Sequence, residues 1–267
     1  MTSTVINSDN VSDRLDGLVE TLATGSLQKQ LQAIQTLSTL EDVGEQALID
    51  FLSTFLAMQV SSQVSGQVSG QVSGQAPESQ TSAGEMPTAA HGSAYQRLFH
   101  SSSEQAQSFV TEKLPHGLLV PHSEKGVDYG DLQKLLIRQE YQAADKLTMQ
   151  KLCELAGERA VKRKWVYFTE VGQFPVADLL TIDGLWRIYS ENKFGWSRQY
   201  ELWTRLGQDW DRLWAQLIWK SPEGTWTRYP GEFIWDLSAP VGHLPLSNQL
   251  RGVRMMDALL SHPAWVQ

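Results

Sequence analysis

Apolar residues return along the first sixty positions at the spacing of one-sided helices. Val11, Leu15, Leu18, Val19 and Leu22 follow an i, i+4, i+7, i+8 pattern, and Gly25 closes the run. Leu27, Leu31, Ile34 and Leu37 repeat the pattern, and Ala47, Leu48, Phe51, Leu52, Phe55 and Leu56 give a third helix. Helices with one oily face must bury those faces on one another, so residues 9–60 read as a small bundle or the start of a helical repeat. The periodicity then stops. From Ser61 to Ser93 VSGQ occurs in tandem, with no aromatic residue and almost no charge. Such a tract buries too little surface to offset chain entropy, which predicts a disordered insert. Its regularly spaced glycines argue against a β-zipper. A fourth helix is expected from Ala94 to Leu114, on Tyr95, Leu98, Phe99, Ala106, Phe109 and Val110, closing the bundle across the insert.

The character changes after Pro115, giving two domains, 1–114 and 115–267. DYGDLQKLLIRQEYQAADKLTMQKLCELAG predicts two amphipathic helices joined near Gln139 to Tyr141, with Leu132, Leu135, Leu136, Ala144, Leu147, Leu152 and Leu155 inward. Further helices are expected over Val176 to Ser190, Ser197 to Leu206 and Trp210 to Leu217. TWTRYPGEFIWDLSAPVGHLP alternates as a hairpin would, but prolines and glycines cut it into pieces too short for strands. The fold class is all-α.

The formal charge of −8 is unevenly spread: residues 1–112 hold 3 Lys/Arg against 12 Asp/Glu, and residues 113–267 hold 19 against 18. No concentration of cations suits a nucleic-acid partner. Cys153 is the only cysteine, which excludes an internal disulfide and a cysteine-built zinc site. The N-terminus lacks the basic and apolar regions of a signal or transit peptide, and no apolar run could span a bilayer, so a cytoplasmic protein is expected.

All ten tryptophans lie between Trp165 and Trp265. Indole is bulky and its N–H wants a partner, so this many implies that some line a flat ligand as well as the core. Trp186, Trp203, Trp210 and Trp214 sit at helical spacings and read as core. Phe168 and Val171 are three apart and could share one face of a turn as a small apolar patch. Near the C-terminus SNQLRGVRMMDALL sets Asn248, Arg251 and Arg254 within one third of a helix circumference, beside Leu250, Val253, Met256 and Leu260. Either these polar groups meet water beside a core helix, or they grip anions at the rim of an oily pocket. A flat, oily ligand with acid groups at one edge, such as a tetrapyrrole, suits the second reading. Burying roughly 200 Å² of macrocycle contributes on the order of 5 kcal/mol before association entropy, so charge-assisted bonds from arginine would decide affinity.

A catalytic reading finds little support. The candidates are Cys153, His243 with Asp236, and Glu170, but Cys153 falls on the inward side of its helix, the stretch around His243 and Asp236 has no flanking triad signal, and no phosphate-cradling glycine loop or HExxH motif occurs. Alternatives to a pigment binder are a helical interaction scaffold with structural tryptophans and a glycan binder with exposed ones.

DKLTMQKLCELAG, WVYFTEVGQFP, NKFGWS, WTRYPGEFIWDLSAPVGHLPLSNQLRGVR and HPAW together resemble the Genomes-Uncoupled porphyrin-binding domain, over about Gly126 to Trp265. Residues 9–60 and 94–114 resemble the helical bundle that precedes it in cyanobacterial members. The resemblance implies a noncatalytic, mostly helical protein of a photosynthetic organism, holding protoporphyrin IX or its magnesium complex. It implies a regulator of chlorophyll biosynthesis that acts with the large porphyrin-handling subunit of magnesium chelatase and stimulates magnesium insertion. It leaves peripheral membrane association open, and no metal ligands or catalytic residues are carried over. By it, Phe168 and Val171 lie on the pocket floor, Trp226 and Phe233 in a loop region over it, and Asn248, Arg251 and Arg254 at the rim near the propionates. Tyr229 stands in that loop where the family commonly has tryptophan, and the VSGQ insert lies outside the family pattern.

Overall fold

The computed structural model describes residues 8–68, 86–246 and 253–266, with side chains of 8–12 and 62–68 left out. Thirteen α-helices and a short 3-10 turn occur among the described residues, and the all-α class holds. The broken stretch 225–245 contributes Trp226 to an isolated antiparallel bridge with Lys220 and is otherwise irregular. The chain divides into two compact units, Met1–Leu118 and Leu119–Gln267.

The first unit holds α1 (Ser8–Thr24), α2 (Leu27–Leu37), α3 (Glu41–Val68), α4 (Ala89–His100) and α5 (Glu104–Lys113). Leu22, Ile34, Leu37, Leu48, Leu52, Ala90, Ala94 and Leu98 are buried at its centre. Val11 lies outside the described side chains. Two expectations need correction. The tract read as an insert is helical at both ends: α3 runs on to Val68, and α4 begins at Ala89. Residues 69–85, with most of the VSGQ repeats, lie outside the described residues. Composition misled at Ala89–Ser93 because small residues there serve close helix packing: Ala89, Ala90, Gly92 and Ser93 are buried. Thr88 caps α4, its Oγ1 accepting from the His91 N–H, while His91 Nδ1 accepts from the Thr88 N–H at 3.0 Å. The His91 ring lies against Phe51 and Phe55, with centroids 4.7 and 4.3 Å away. The single helix expected over Ala94 to Leu114 is two. Ser101 is extended, and Ser103 starts α5 by accepting from the Ala106 N–H at 3.2 Å. Serines compete for backbone bonds and so cap helices rather than continue them.

The second unit holds α6 (Gly130–Ile137), α7 (Tyr141–Ala156), α8 (Glu158–Arg163), α9 (Phe168–Val171), α10 (Val176–Ile188), α11 (Trp196–Arg205), α12 (Trp210–Gln216) and α13 (Val253–Leu260). Buried carboxylates fasten it. Asp178 accepts from Tyr129 Oη at 2.7 Å, from the Glu124 N–H at 3.0 Å and from Ser123 Oγ. Asp183 accepts from the N–H and Oγ of Ser197 at 2.8 and 2.6 Å, which anchors the start of α11. Asp145 on α7 accepts from the Leu246 N–H at 2.6 Å, fixing the end of the long loop after α12. Each hydrogen bond offsets part of the desolvation penalty of its buried carboxyl, which for Asp145 and Asp183 still outweighs it and raises the pKa.

That loop is pinned again by α11. Gln199 Nε2 donates to the carbonyls of Gly242 and Pro245 at 2.8 and 2.9 Å, and the Gly195 N–H donates to Leu244 O at 2.9 Å. Gly242 has φ +80°, and a Cβ there would come within 2.8 Å of Leu202 and 2.9 Å of Leu217, so the approach requires glycine. His243 is buried. Its Nδ1–H donates to Leu217 O at 2.6 Å and its Nε2 accepts from the Ile234 N–H at 3.2 Å, while its carbonyl receives Trp219 Nε1 at 2.9 Å. Both nitrogens serve the loop, and Asp236 turns instead to the Ser238 N–H at 2.7 Å. Cys153 is buried too, and burial first of all pushes its thiol pKa up.

Candidate functional site

Two helices place the first half of the site. WVYF sits between α8 and α9 and cannot bury every ring of so short a segment, so Tyr167 and Phe168 remain 45% and 41% exposed. Arg163 orders them. Its Nη2 donates to Glu170 Oε2 at 2.5 Å, and its Cζ lies 4.8 Å from the Trp165 ring centroid and 4.2 Å from that of Tyr167. Glu170 Oε2 also accepts from the Tyr167 N–H at 2.7 Å, closing the start of α9. Trp165 and Tyr167 meet edge to face at 4.1 Å. The outcome is an outward-facing aromatic shelf held by one charged pair.

Helix α13 packs on α9 and supplies the polar half. Met255, Met256, Leu259 and Leu260 are buried, which turns Val253, Arg254 and Asp257 outward. Val253, placed by periodicity on the apolar side, is 36% exposed. The Arg254 guanidinium carbon stands 5.4 Å from the Phe168 ring centroid. Phe168 and Arg254 are 86 positions apart in sequence, and the packing of α13 on α9 brings them together. Asn248 and Arg251, on the segment directly before α13, lie outside the described residues.

Val171 does not share this shelf. It is 0% exposed at the far end of a one-turn helix, whereas Phe168 at its start is 41% exposed, so the two do not present one exposed patch. Phe233 is likewise buried, at 6% exposure, and acts as a layer behind the loop. Its ring sits 5.5 Å from His243, 5.9 Å from Trp235 and 6.3 Å from Tyr229. Tyr229, 47% exposed, is the outer member of that cluster. Burial raises its pKa first, and the Asp145 carboxylate adds to the rise. Trp226, 44% exposed, belongs to a different stack: it lies 5.7 Å from Trp214, with Lys220 Nζ 5.7 Å from its centroid.

The described contacts therefore give two groups, Phe168 with Arg254 and Tyr229 with Phe233, plus Trp226 on the indole stack of α12. Arg254 lies just after the undescribed segment 247–252. Leu246, tied to Asp145, and Val253, starting α13, are seven peptide links apart, at most about 25 Å of extended chain. The sequence reading missed Trp165, Tyr167 and Arg163, though the alternation in WVYF with a nearby arginine was a usable signal. It also asked too much of the tryptophans: Trp186, Trp196, Trp203, Trp214, Trp219 and Trp265 are all buried. Three of them donate inside the fold, Trp186 Nε1 to Thr148 Oγ1 at 3.0 Å, Trp219 Nε1 to His243 O at 2.9 Å and Trp265 Nε1 to Leu259 O at 2.6 Å, whereas the buried Trp203 Nε1 has no partner among the described residues.

An exposed aromatic shelf under a guanidinium, on a helical unit fastened by buried carboxylates, defines the class: an all-α protein presenting a flat apolar surface with a cationic edge. Residues 122–263 match the GUN4-like family. A Ycf53-like protein of Synechocystis sp. is 39% identical over 257 residues, covering 96% of this chain and 99% of that protein. The tetrapyrrole-binding protein of Arabidopsis thaliana chloroplasts is 37% identical over 142 residues, 50% of this chain and 54% of that one. The solved structure of GUN4 from Chlamydomonas reinhardtii superposes with a TM-score of 0.52 at 40% identity, over 56% of this chain and 95% of that one. The chain belongs to the GUN4-like family.

Proposed function

We propose that this protein binds tetrapyrroles without transforming them, holding protoporphyrin IX or magnesium protoporphyrin IX against the shelf of the second unit. The observation that carries this reading is the Arg254 guanidinium beside the exposed Phe168 ring. A macrocycle offers a flat apolar face and carboxylates at one edge; the shelf offers an apolar ring and a cation at its edge. Trp226 and Tyr229 are the exposed loop aromatics available to its other face, and Asn248 and Arg251 would add donors along the same edge. Val171 and Phe233 support this surface from behind. The Arabidopsis relative is a tetrapyrrole-binding protein by name, which agrees with the ligand class.

The biological role follows from the family resemblance: the protein presents porphyrin to the large porphyrin-handling subunit of magnesium chelatase and stimulates magnesium insertion in chlorophyll biosynthesis. Membership of the family supports a regulatory rather than a catalytic task, carried out in the cytoplasm of a photosynthetic cell. Among the described residues no helix is long and apolar enough to cross a membrane.

Titrating the purified protein with protoporphyrin IX and with its magnesium complex, followed by Soret absorbance and tryptophan quenching, tests the binding half. Saturable, red-shifted spectra are expected for both; spectra that match free pigment at every ratio would leave the interaction-scaffold alternative. Adding the protein to magnesium chelatase at limiting magnesium tests the other half, with faster insertion expected and an unchanged rate counting against it.

A further inference from the structure

The first unit contains a groove that pigment binding does not use. It encloses about 760 Å³ between α1 and α3 and is lined by Leu15, Val19 and Leu22 on one side and by Val43, Phe51 and Phe55 on the other. Its lip stays open: Val19, Val43 and Met58 are 44%, 52% and 52% exposed. Lining residues on α3 run from Asp42 to Met58, which at the helical rise is about 24 Å, room for roughly four turns of a second helix.

The rim is acidic. Asp42, Gln46 and Asp50 follow one another at i+4 along α3, parallel to the apolar stripe Val43, Ala47 and Phe51, and all six line the groove. Asp50 accepts from Gln46 Nε2 at 2.7 Å, which holds the stripe in place. No lysine or arginine lines the groove. Arg14 and Lys29 are the nearby cations of α1 and α2, against Asp13, Asp16 and Glu20 on α1 and Glu41 on α3. An apolar slot with a carboxylate rail has one natural complement, a helix with an apolar stripe flanked by cations.

The chain's own undescribed segments do not supply that complement: residues 1–7 and 69–85 contain no lysine or arginine, and residues 247–252, with Arg251 alone, are too short for a helix of four turns. We propose that the groove between α1 and α3 docks a basic amphipathic helix of a partner protein. Apolar anchors at i, i+4 and i+7 enter between Val19 and Val43, and flanking lysines or arginines meet Asp42 and Asp50.

The test uses the full chain and a fluorescein-labelled peptide of about 18 residues, leucines on one helical face and lysines and arginines elsewhere. Two controls share its length: one with every cation replaced by glutamate, one with the same composition scrambled so that no apolar face forms. Anisotropy should show saturable binding of the amphipathic basic peptide, with both controls weaker by at least about tenfold. Because Val19 and Val43 are exposed, the double variant V19K/V43K should keep its circular dichroism and melting temperature while losing at least about tenfold in affinity for the peptide. D42K/D50K should do the same without touching an apolar atom.

Absent binding overturns the proposal, as do equal affinities for the three peptides or an unchanged V19K/V43K. Binding that appears only after residues 69–85 are removed would make the chain's own segment the occupant. A dimer in sedimentation that V19K/V43K dissolves would make it a second copy.

Discussion

A guanidinium stacked beside a phenyl ring keeps its N–H donors in the plane of the fork, so resting near Phe168 and gripping a carboxylate are compatible tasks for Arg254. Lysine carries the charge but not the fork, and R254K should recover only part of what R254A loses. Depth separates the other site residues. Phe233 is packed among Tyr229, Trp235 and His243, and F233A should cost about 3–5 kcal/mol and lower the melting temperature of the second unit. Tyr229 is half exposed, so Y229A should cost less than about 1 kcal/mol in stability yet weaken porphyrin binding several-fold. Thermal melts set beside pigment titrations check this, and the reverse order of effects would mean that the loop cluster is assigned inside out.

At the scale of elements, the boundaries of α3 and α4 matter most. Removing residues 69–85 should leave the first unit's melting temperature and the porphyrin affinity close to those of the intact chain. Removing Ser61 to Ser93 should destabilise the first unit, because it takes away the Thr88 cap, worth about 1 kcal/mol, and with it the buried Ala89, Ala90, Gly92 and Ser93. Differential scanning calorimetry of the two deletions decides between these bounds. The contrast shows what was legible. The 3.6-residue period reveals α2, α6, α7 and α10 to α12 within a residue or two, and α1 within three, because apolar residues recur along each at helical spacing. AAHGS carries no such signal: its residues are buried for being small, and that depends on what packs against them. The same limit explains Val171 and Phe233, whose types suit a pocket wall or a core equally well. Asp145 and Thr148 escaped notice for the opposite reason, as polar residues on an inward face that only Leu246 and Trp186 justify. Arg254 and Phe168 were each visible by spacing, but that they meet depends on the packing of α13 on α9.

Across the whole molecule Asp145 in the second unit and His91 in the first should answer pH in opposite senses. Burial pushes Asp145 up to about 7, well above an unfolded aspartate, so the folded state binds the extra proton and this contribution is complete below about pH 4 and lost as pH rises to about 7. The loss is roughly 4 kcal/mol, and D145N, which keeps an acceptor for the Leu246 N–H, should flatten that slope in chemical denaturation of the second unit. Burial lowers His91 to about 4, and protonating Nδ1 would also break its bond from the Thr88 N–H, so the first unit should weaken as pH falls from about 6.5 to 4. Parallel slopes in D145N and the unaltered chain would contradict the Asp145 assignment. The two units also divide the chemistry, an acidic groove in one and a cationic aromatic shelf in the other. The shelf carries the central claim, and the most direct measurement is a Soret titration of the unaltered protein and R251A/R254A with protoporphyrin IX. The account predicts at least about tenfold weaker binding with unchanged circular dichroism and melting temperature; equal affinity for the two proteins would contradict it.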